Sequence, residues 1–192
     1  RSSGGGVSNA AAATGTAAVA PHDEIPGCSV AIDGNTIVVG AYRNSGAVYV
    51  FRTTDGGATY GQVAKLTADD AAAGDRFGIS VAIDGNTVVI GAYGDDDAGS
   101  ASGSVYVFRT SDGGATYGQV AKLTASDAAA GDDFGRFVAI AGGTVVVGAS
   151  ADDDGGTSSG SAYVFRTTDG GATYEQVAKL TASDAATSDV FG

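Results

Sequence analysis

Two acidic triplets carry the strongest chemical signal in the chain. Asp95, Asp96 and Asp97 open "DDDAGSASG" (95–103), and Asp152, Asp153 and Asp154 open "DDDGGTSSG" (152–160). Carboxylates at i and i+2, followed by glycines and hydroxyls, offer the crowded oxygen donors that hard cations prefer. Adjacent carboxylates also repel one another, and a bound cation relieves that repulsion. Asp95, Asp97, Asp152 and Asp154 are therefore the candidate side-chain ligands for calcium. The spacing is not that of an EF-hand and no glutamate closes it. The competing reading is an exposed, solvated acidic loop.

The remaining chemical inventory is thin. His22 is the single histidine and Cys28 the single cysteine, so no disulfide forms within the chain. Arg52, Arg109 and Arg166 recur at one position of a repeated phrase and belong to the scaffold. A hydrolase site needs an asymmetric set of groups, and near-identical repeats do not supply one, so no enzyme is expected. Asp69, Asp70, Asp75, Asp127, Asp132 and Asp133 recur just before a Phe-Gly pair, where they read as caps for the turns between units.

Acids outnumber bases by 22 to 10, a formal charge of -12. Such a surface repels nucleic acid and anionic membranes. No apolar run is long enough to span a bilayer as a helix. Residues 1–27 are rich in Gly, Ala and Ser and read as an N-terminal tail or linker.

The elements that position these residues come from a repeat. "FRTSDGGATYGQVAKLTASDAAAGDDFG" (108–135) has near copies at 51–78 and 165–192. Val30, Val81 and Val138 are equivalent and lie 51 and 57 residues apart. The units run 28–78, 79–135 and 136–192. The first is shorter in one loop, where "YRNSG" (42–46) stands in place of the acidic triplet. Each unit holds four short runs rich in Val, Ile, Tyr and Phe. In the second they are 80–84, 87–92, 104–109 and 118–125, with "DGN" (84–86) as a hairpin signal. Four antiparallel strands in about 50 residues is the arithmetic of a propeller blade, so an all-β fold of three four-stranded blades is expected.

Two resemblances attach to these residues. Phe77 and Gly78, followed by "SVAIDGNTVVIGAY" (80–93), resemble the FG-GAP repeat of integrin-alpha-type β-propellers, with "GAY" or "GAS" where that family has Gly-Ala-Pro. The resemblance implies a seven-bladed propeller, extracellular or at the cell surface, used for adhesion or ligand display. The family's calcium loop between the first two strands is missing here, where only "DGN" or "AGG" stands, so that role is not carried over. "TSDGGATY" (110–117), with "TTDGGATY" at 53–60 and 167–174, resembles the Asp box, which implies a structural hairpin between third and fourth strands.

The expected function is a non-enzymatic structural or adhesive module that assembles with copies of itself or with further blades of a longer chain. The alternative is a module binding a glycan or an extracellular protein through loops that include Tyr42, Tyr93 and Ser150. Three blades do not close a propeller. Pro26 and Gly27 stand before the first unit where the others carry Phe-Gly, and "SDVFG" closes the third. The expectation is head-to-tail completion, with Phe191 and Gly192 docking beside the first strand of the next copy or segment, to give a ring or a filament.

Overall fold

A computed structural model describes residues 29–192. The N-terminal tail, His22 and Cys28 lie outside the described residues. Twelve strands run in order: β1 (Val30–Asp33), β2 (Thr36–Ala41), β3 (Ala47–Arg52), β4 (Gly61–Leu66), β5 (Ser80–Asp84), β6 (Thr87–Ala92), β7 (Ser104–Arg109), β8 (Gly118–Leu123), β9 (Phe134–Ala141), β10 (Thr144–Ala149), β11 (Ser161–Arg166) and β12 (Glu175–Leu180). They form three antiparallel four-stranded sheets, β1-β2-β3-β4, β5-β6-β7-β8 and β9-β10-β11-β12. Strands of the second unit match the sequence expectation except β8, which stops at Leu123 because Thr124 and Ala125 already turn towards the next blade. No helix among the described residues is long and apolar enough to cross a membrane.

Alternation along each strand gives every blade two apolar faces. The face towards the following blade, the forward face, carries Val38, Val48, Val50 and Leu66 in blade 1. These pack against the rear face of blade 2, made by Val81, Val88, Ile90, Tyr106 and Phe108. The same residues one repeat later, Val89, Val105, Val107 and Leu123, meet Val145, Val147, Tyr163 and Phe165 of blade 3. Each core is thus shared between blades, and no blade encloses one alone.

The Phe-Gly pairs sit at these joints. Phe77 bridges to Gly46 of blade 1, while its ring lies edge-on to Tyr106 (5.4 Å between centroids) and Phe108 (6.0 Å) of blade 2. The Gly78 N–H donates to the Gly91 carbonyl of blade 2 (3.0 Å), and its own carbonyl presses on Gly40 of blade 1. Gly135 repeats this over Gly91, and Gly192 over Gly148. Phe191 and Gly192 therefore dock on their own blade 3, against Gly160, Gly148 and Ser161. The pair completes the blade that precedes it, which the sequence alone did not disclose.

Smaller polar contacts fix the angle between blades. Asp33 Oδ2 accepts from the Gly85 N–H (2.6 Å), and Asp84 Oδ2 from the Gly142 N–H (2.7 Å). The Val81 N–H donates to Ser29 Oγ (2.9 Å), and Ser80 Oγ donates to the Gly135 carbonyl (2.9 Å).

A Cβ at Gly91 would overlap the Gly135 carbonyl and the Ser80 hydroxyl. Backbone cannot give way there as a flexible side chain would. Gly91→Ala is expected to cost on the order of 3 kcal/mol, read as a lowered midpoint in urea unfolding. Gly85→Ala at the exposed turn, where a Cβ meets nothing, is the comparison; its cost is limited to the strain at a φ of 56°.

Candidate functional site

The Asp boxes are hairpins between the third and fourth strands of each blade. Asp112 Oδ1 accepts from the Ala115 and Thr116 N–H groups (2.9 Å each) and from the Thr110 hydroxyl (2.7 Å), and Oδ2 from the Thr116 hydroxyl (2.6 Å). Asp55 and Asp169 repeat the arrangement with Thr59 and Thr173. These bonds, led by the one from the downstream threonine hydroxyl, hold all three carboxyls well below the usual range. Gly113 and Gly114 supply φ of 73° and 91°, a region that favours glycine. Tyr117 and Tyr174 then pack into the joint with the preceding blade. Every polar atom of the box carboxylate is satisfied from within the hairpin, so its work is structural.

The acidic triplets lie on loops between the second and third strands of blades 2 and 3, at the opposite end from the boxes. Asp95 is buried and its Oδ1 accepts from the Asp97 N–H (3.1 Å). Asp70, reaching over from blade 1, and Asp95 sit 2.8 and 2.7 Å from the Tyr106 hydroxyl, whose one proton they share. Into this group projects Lys122 from β8. Its ammonium lies 2.7 Å from Asp70 and 3.1 Å from Asp95, and it pairs with Asp97 as well. One repeat on, Lys179 does the same: it lies 2.7 Å from Asp127 and 3.0 Å from Asp152, and pairs with Asp154, beside the Tyr163 hydroxyl. The structure thus brings Asp95 together with Asp97, and Asp152 with Asp154, as the spacing suggested. It adds three groups that the spacing did not reveal: an aspartate from the preceding blade, a tyrosine and a lysine.

Electrostatics follow from this geometry. Burial works to raise Asp70, Asp127 and Asp152, but the bonds from lysine and tyrosine outweigh it and hold all three below the ordinary carboxylate value. For Lys122 and Lys179, burial opposes the charge and the surrounding carboxylates outweigh it, so both ammonium groups titrate above the usual lysine range. Burial, with the neighbouring carboxylates, pushes the Tyr106 hydroxyl far up. Asp70, Asp95 and Asp97 also present oxygens within 4.8 Å of one another, a set with the donors to hold a metal ion. In the arrangement described, the lysine ammonium supplies the positive charge at that point.

The other expected features separate. Asp75, Asp132 and Asp189 cap turns, each accepting from the N–H three residues earlier (2.6, 2.7 and 2.7 Å). Asp70 and Asp127 belong to the lysine clusters instead. Tyr42 and Tyr93 lie beneath the guanidinium groups of Arg76 (5.6 Å) and Arg136 (5.1 Å), and Ser150 is buried, so these three do not form a free rim. A cleft of about 480 Å³ opens between the first two Asp boxes, lined by Arg52, Thr59, Gln62, Asp112 and Gly114.

Three like sheets, packed face to face with their first strands adjacent, define the class as propeller blades. The FG-GAP repeat model matches residues 20–51, 60–108 and 117–165, and the chain belongs to that family. Among solved structures it is similar to the propeller Sqt1 of Saccharomyces cerevisiae, with a TM-score of 0.52 and 13% identity. That match covers 84% of this chain and 36% of the other, so the chain spans about a third of that protein's length. No curated protein matches the chain.

Removing the ammonium leaves Asp70, Asp95 and Asp97 facing one another. Lys122→Ala is expected to cost about 2 kcal/mol, less than a fully buried pair because Asp70 and Asp97 are half exposed. The pH dependence has two limbs. Asp70, Asp127 and Asp152 titrate below 3.8 in the fold, so their contribution is complete above that value and is lost as pH falls through it. Lys122 and Lys179 titrate above 10.5, so theirs is complete below that value and is lost as pH rises beyond it. Asp75 and Asp132, raised by burial, oppose the acid limb, and the larger set of depressed aspartates outweighs them. Thermal midpoints of the wild type should hold between about pH 5 and 10 and drop on both sides, and Lys122→Ala should flatten both limbs.

Proposed function

We propose that the chain is a non-enzymatic structural or adhesive repeat module, working outside the cell or at its surface, that packs with further FG-GAP repeats or further copies. The observation that carries this reading is how the acids are used. The carboxylates that spacing marked for chemistry are engaged by ion pairs to a lysine of their own blade, which also fastens Asp70 or Asp127 of the preceding blade, and the box aspartates are engaged within their own hairpins. The two clusters are copies of one another, Asp70/Asp95/Asp97/Lys122 and Asp127/Asp152/Asp154/Lys179, which suits a scaffold and not a single reacting centre. A dense negative charge suits a chain that must stay soluble while presenting long apolar faces to like units.

A second reading is favoured by one observation, the mutual approach of the Asp70, Asp95 and Asp97 oxygens. Here calcium displaces the lysine, stiffens the loops of blades 2 and 3, and the loops bind a glycan or an extracellular protein. Isothermal calorimetry separates the two readings. The scaffold reading expects no calcium heat from the wild type at millimolar metal, and a new site in Lys122→Ala, where the ammonium no longer competes. A wild-type calcium site that vanishes in Asp97→Ala combined with Asp154→Ala supports the ligand-binding reading, and a glycan array then searches for its partner. Turnover on a panel of glycosides and esters would retire both.

A further inference from the structure

The two apolar faces that meet at each internal joint also occur unpaired in the same molecule. On the forward face of blade 3, Leu180 is 45% exposed, although its equivalents Leu66 and Leu123 are 3% and 4% exposed. Phe191 is 37% exposed, while Phe77 and Phe134 are fully buried. On the rear face of blade 1, Val30 and Ile32 are 67% and 66% exposed, while their equivalents in blade 2, Val81 and Ile83, are buried and half-buried.

The forward face of blade 3 is not a plain copy of the other two. Ser29 and Ser80 bond to the next blade through their hydroxyls, and the same position holds Phe137, which is 60% exposed. Asp33 and Asp84 accept from the next blade's turn, and the same position holds Ala141. Both polar groups that orient an internal joint are thus replaced by apolar ones. The Phe-Gly socket of this face is already filled by Phe191 and Gly192. The rear face of blade 1 is the one in the chain preceded by Pro26 and Gly27 instead of Phe-Gly, so it brings no phenylalanine that would compete for that socket.

We propose that the forward face of blade 3 is a docking surface for the rear face of blade 1 of a second copy of this chain. The contact continues the geometry of the two internal joints. It relies on apolar burial by Phe137, Leu180, Val164 and Phe191, and does without the serine and aspartate bonds. Stable interfaces between copies are more apolar than transient ones, and the substitutions run in that direction. The contact is heterologous, so each copy keeps one face of each kind open for another. This inference rests on the reading of the chain as a blade module.

Sedimentation velocity on the 192-residue chain tests it, with two variants at positions already exposed. The wild type should show a mass that rises with concentration above the 18.6 kDa of one chain. Ile32→Asp spoils the rear face and Leu180→Asp the forward face, and each alone should run as a monomer. Mixed in equal amounts, they should form a dimer of one copy of each and stop there, because one intact face of each kind remains. Phe137→Ser installs the residue of the other blades and keeps the fold, so it guards against a variant that fails to fold; it should weaken association by about tenfold or more. A wild type that stays monomeric, a mixture no heavier than its parts, or a dimer that persists in either single variant overturns the proposal. None of these outcomes produces substrate turnover, so the scaffold reading stands or falls by its own assay.

Discussion

Backbone pressed on backbone sets the spacing of the whole array. Each Phe-Gly glycine lays its carbonyl on the second-strand glycine of the blade before it: Gly78 on Gly40, Gly135 on Gly91, Gly192 on Gly148. The phenylalanine carbonyl does the same to the glycine before the third strand, at Gly46, Gly103 and Gly160. Two positions per blade must therefore lack a side chain. Once they do, the phenylalanine ring of each internal pair drops into the following blade's rear face, and the valines of both faces close around it. Apolar burial then drives the stacking, but the glycines decide how near the sheets come.

Electrostatics is layered on that contact. The lysine clusters lie at one end of each joint and the turn contacts from Asp33 and Asp84 along its inner edge. An aspartate from one blade and two from the next converge on one ammonium. The pairs from Asp70 and Asp127 tie each blade to the next, and the remaining pairs brace the triplet loop of the later blade. Asp95 and Asp152 are buried, and charges taken out of water are screened little by salt. Acidity that looks like a surface property in the composition is, at these joints, an internal fastening.

The strands and the Asp boxes were legible because their causes are local. Alternating Val, Ile and Phe define β6 and β7 within six residues each, and Asp112 bonds to groups no more than four residues away. The lysine clusters were not legible from the triplets, because Asp70 and Lys122 stand 52 residues apart. A signal did exist: the chain's three lysines, Lys65, Lys122 and Lys179, all fall at one repeat position, four or five residues before the next aspartate. Reading the acids together with the lysine in register would have proposed an ion-pair network beside the calcium site. The placement of Phe-Gly on the preceding blade was hidden for a different reason. A pair that touches two blades belongs to both, and sequence order names only one.

Many of the side-chain hydrogen bonds between blades share a numerical property. Their partners lie 50 to 58 residues apart, close to one repeat: 50 for Asp69 with Gln119, 52 for Asp33 with Gly85 and for Asp127 with Lys179, 55 for Ser80 with Gly135 and 58 for Asp84 with Gly142. An interface written at the period of the repeat is carried by the unit itself. Duplicating one unit in the gene inserts one finished joint, and deleting one unit removes one and rejoins its neighbours through the same residues. The length of such an array can change by recombination in whole blades without any interface having to be reinvented.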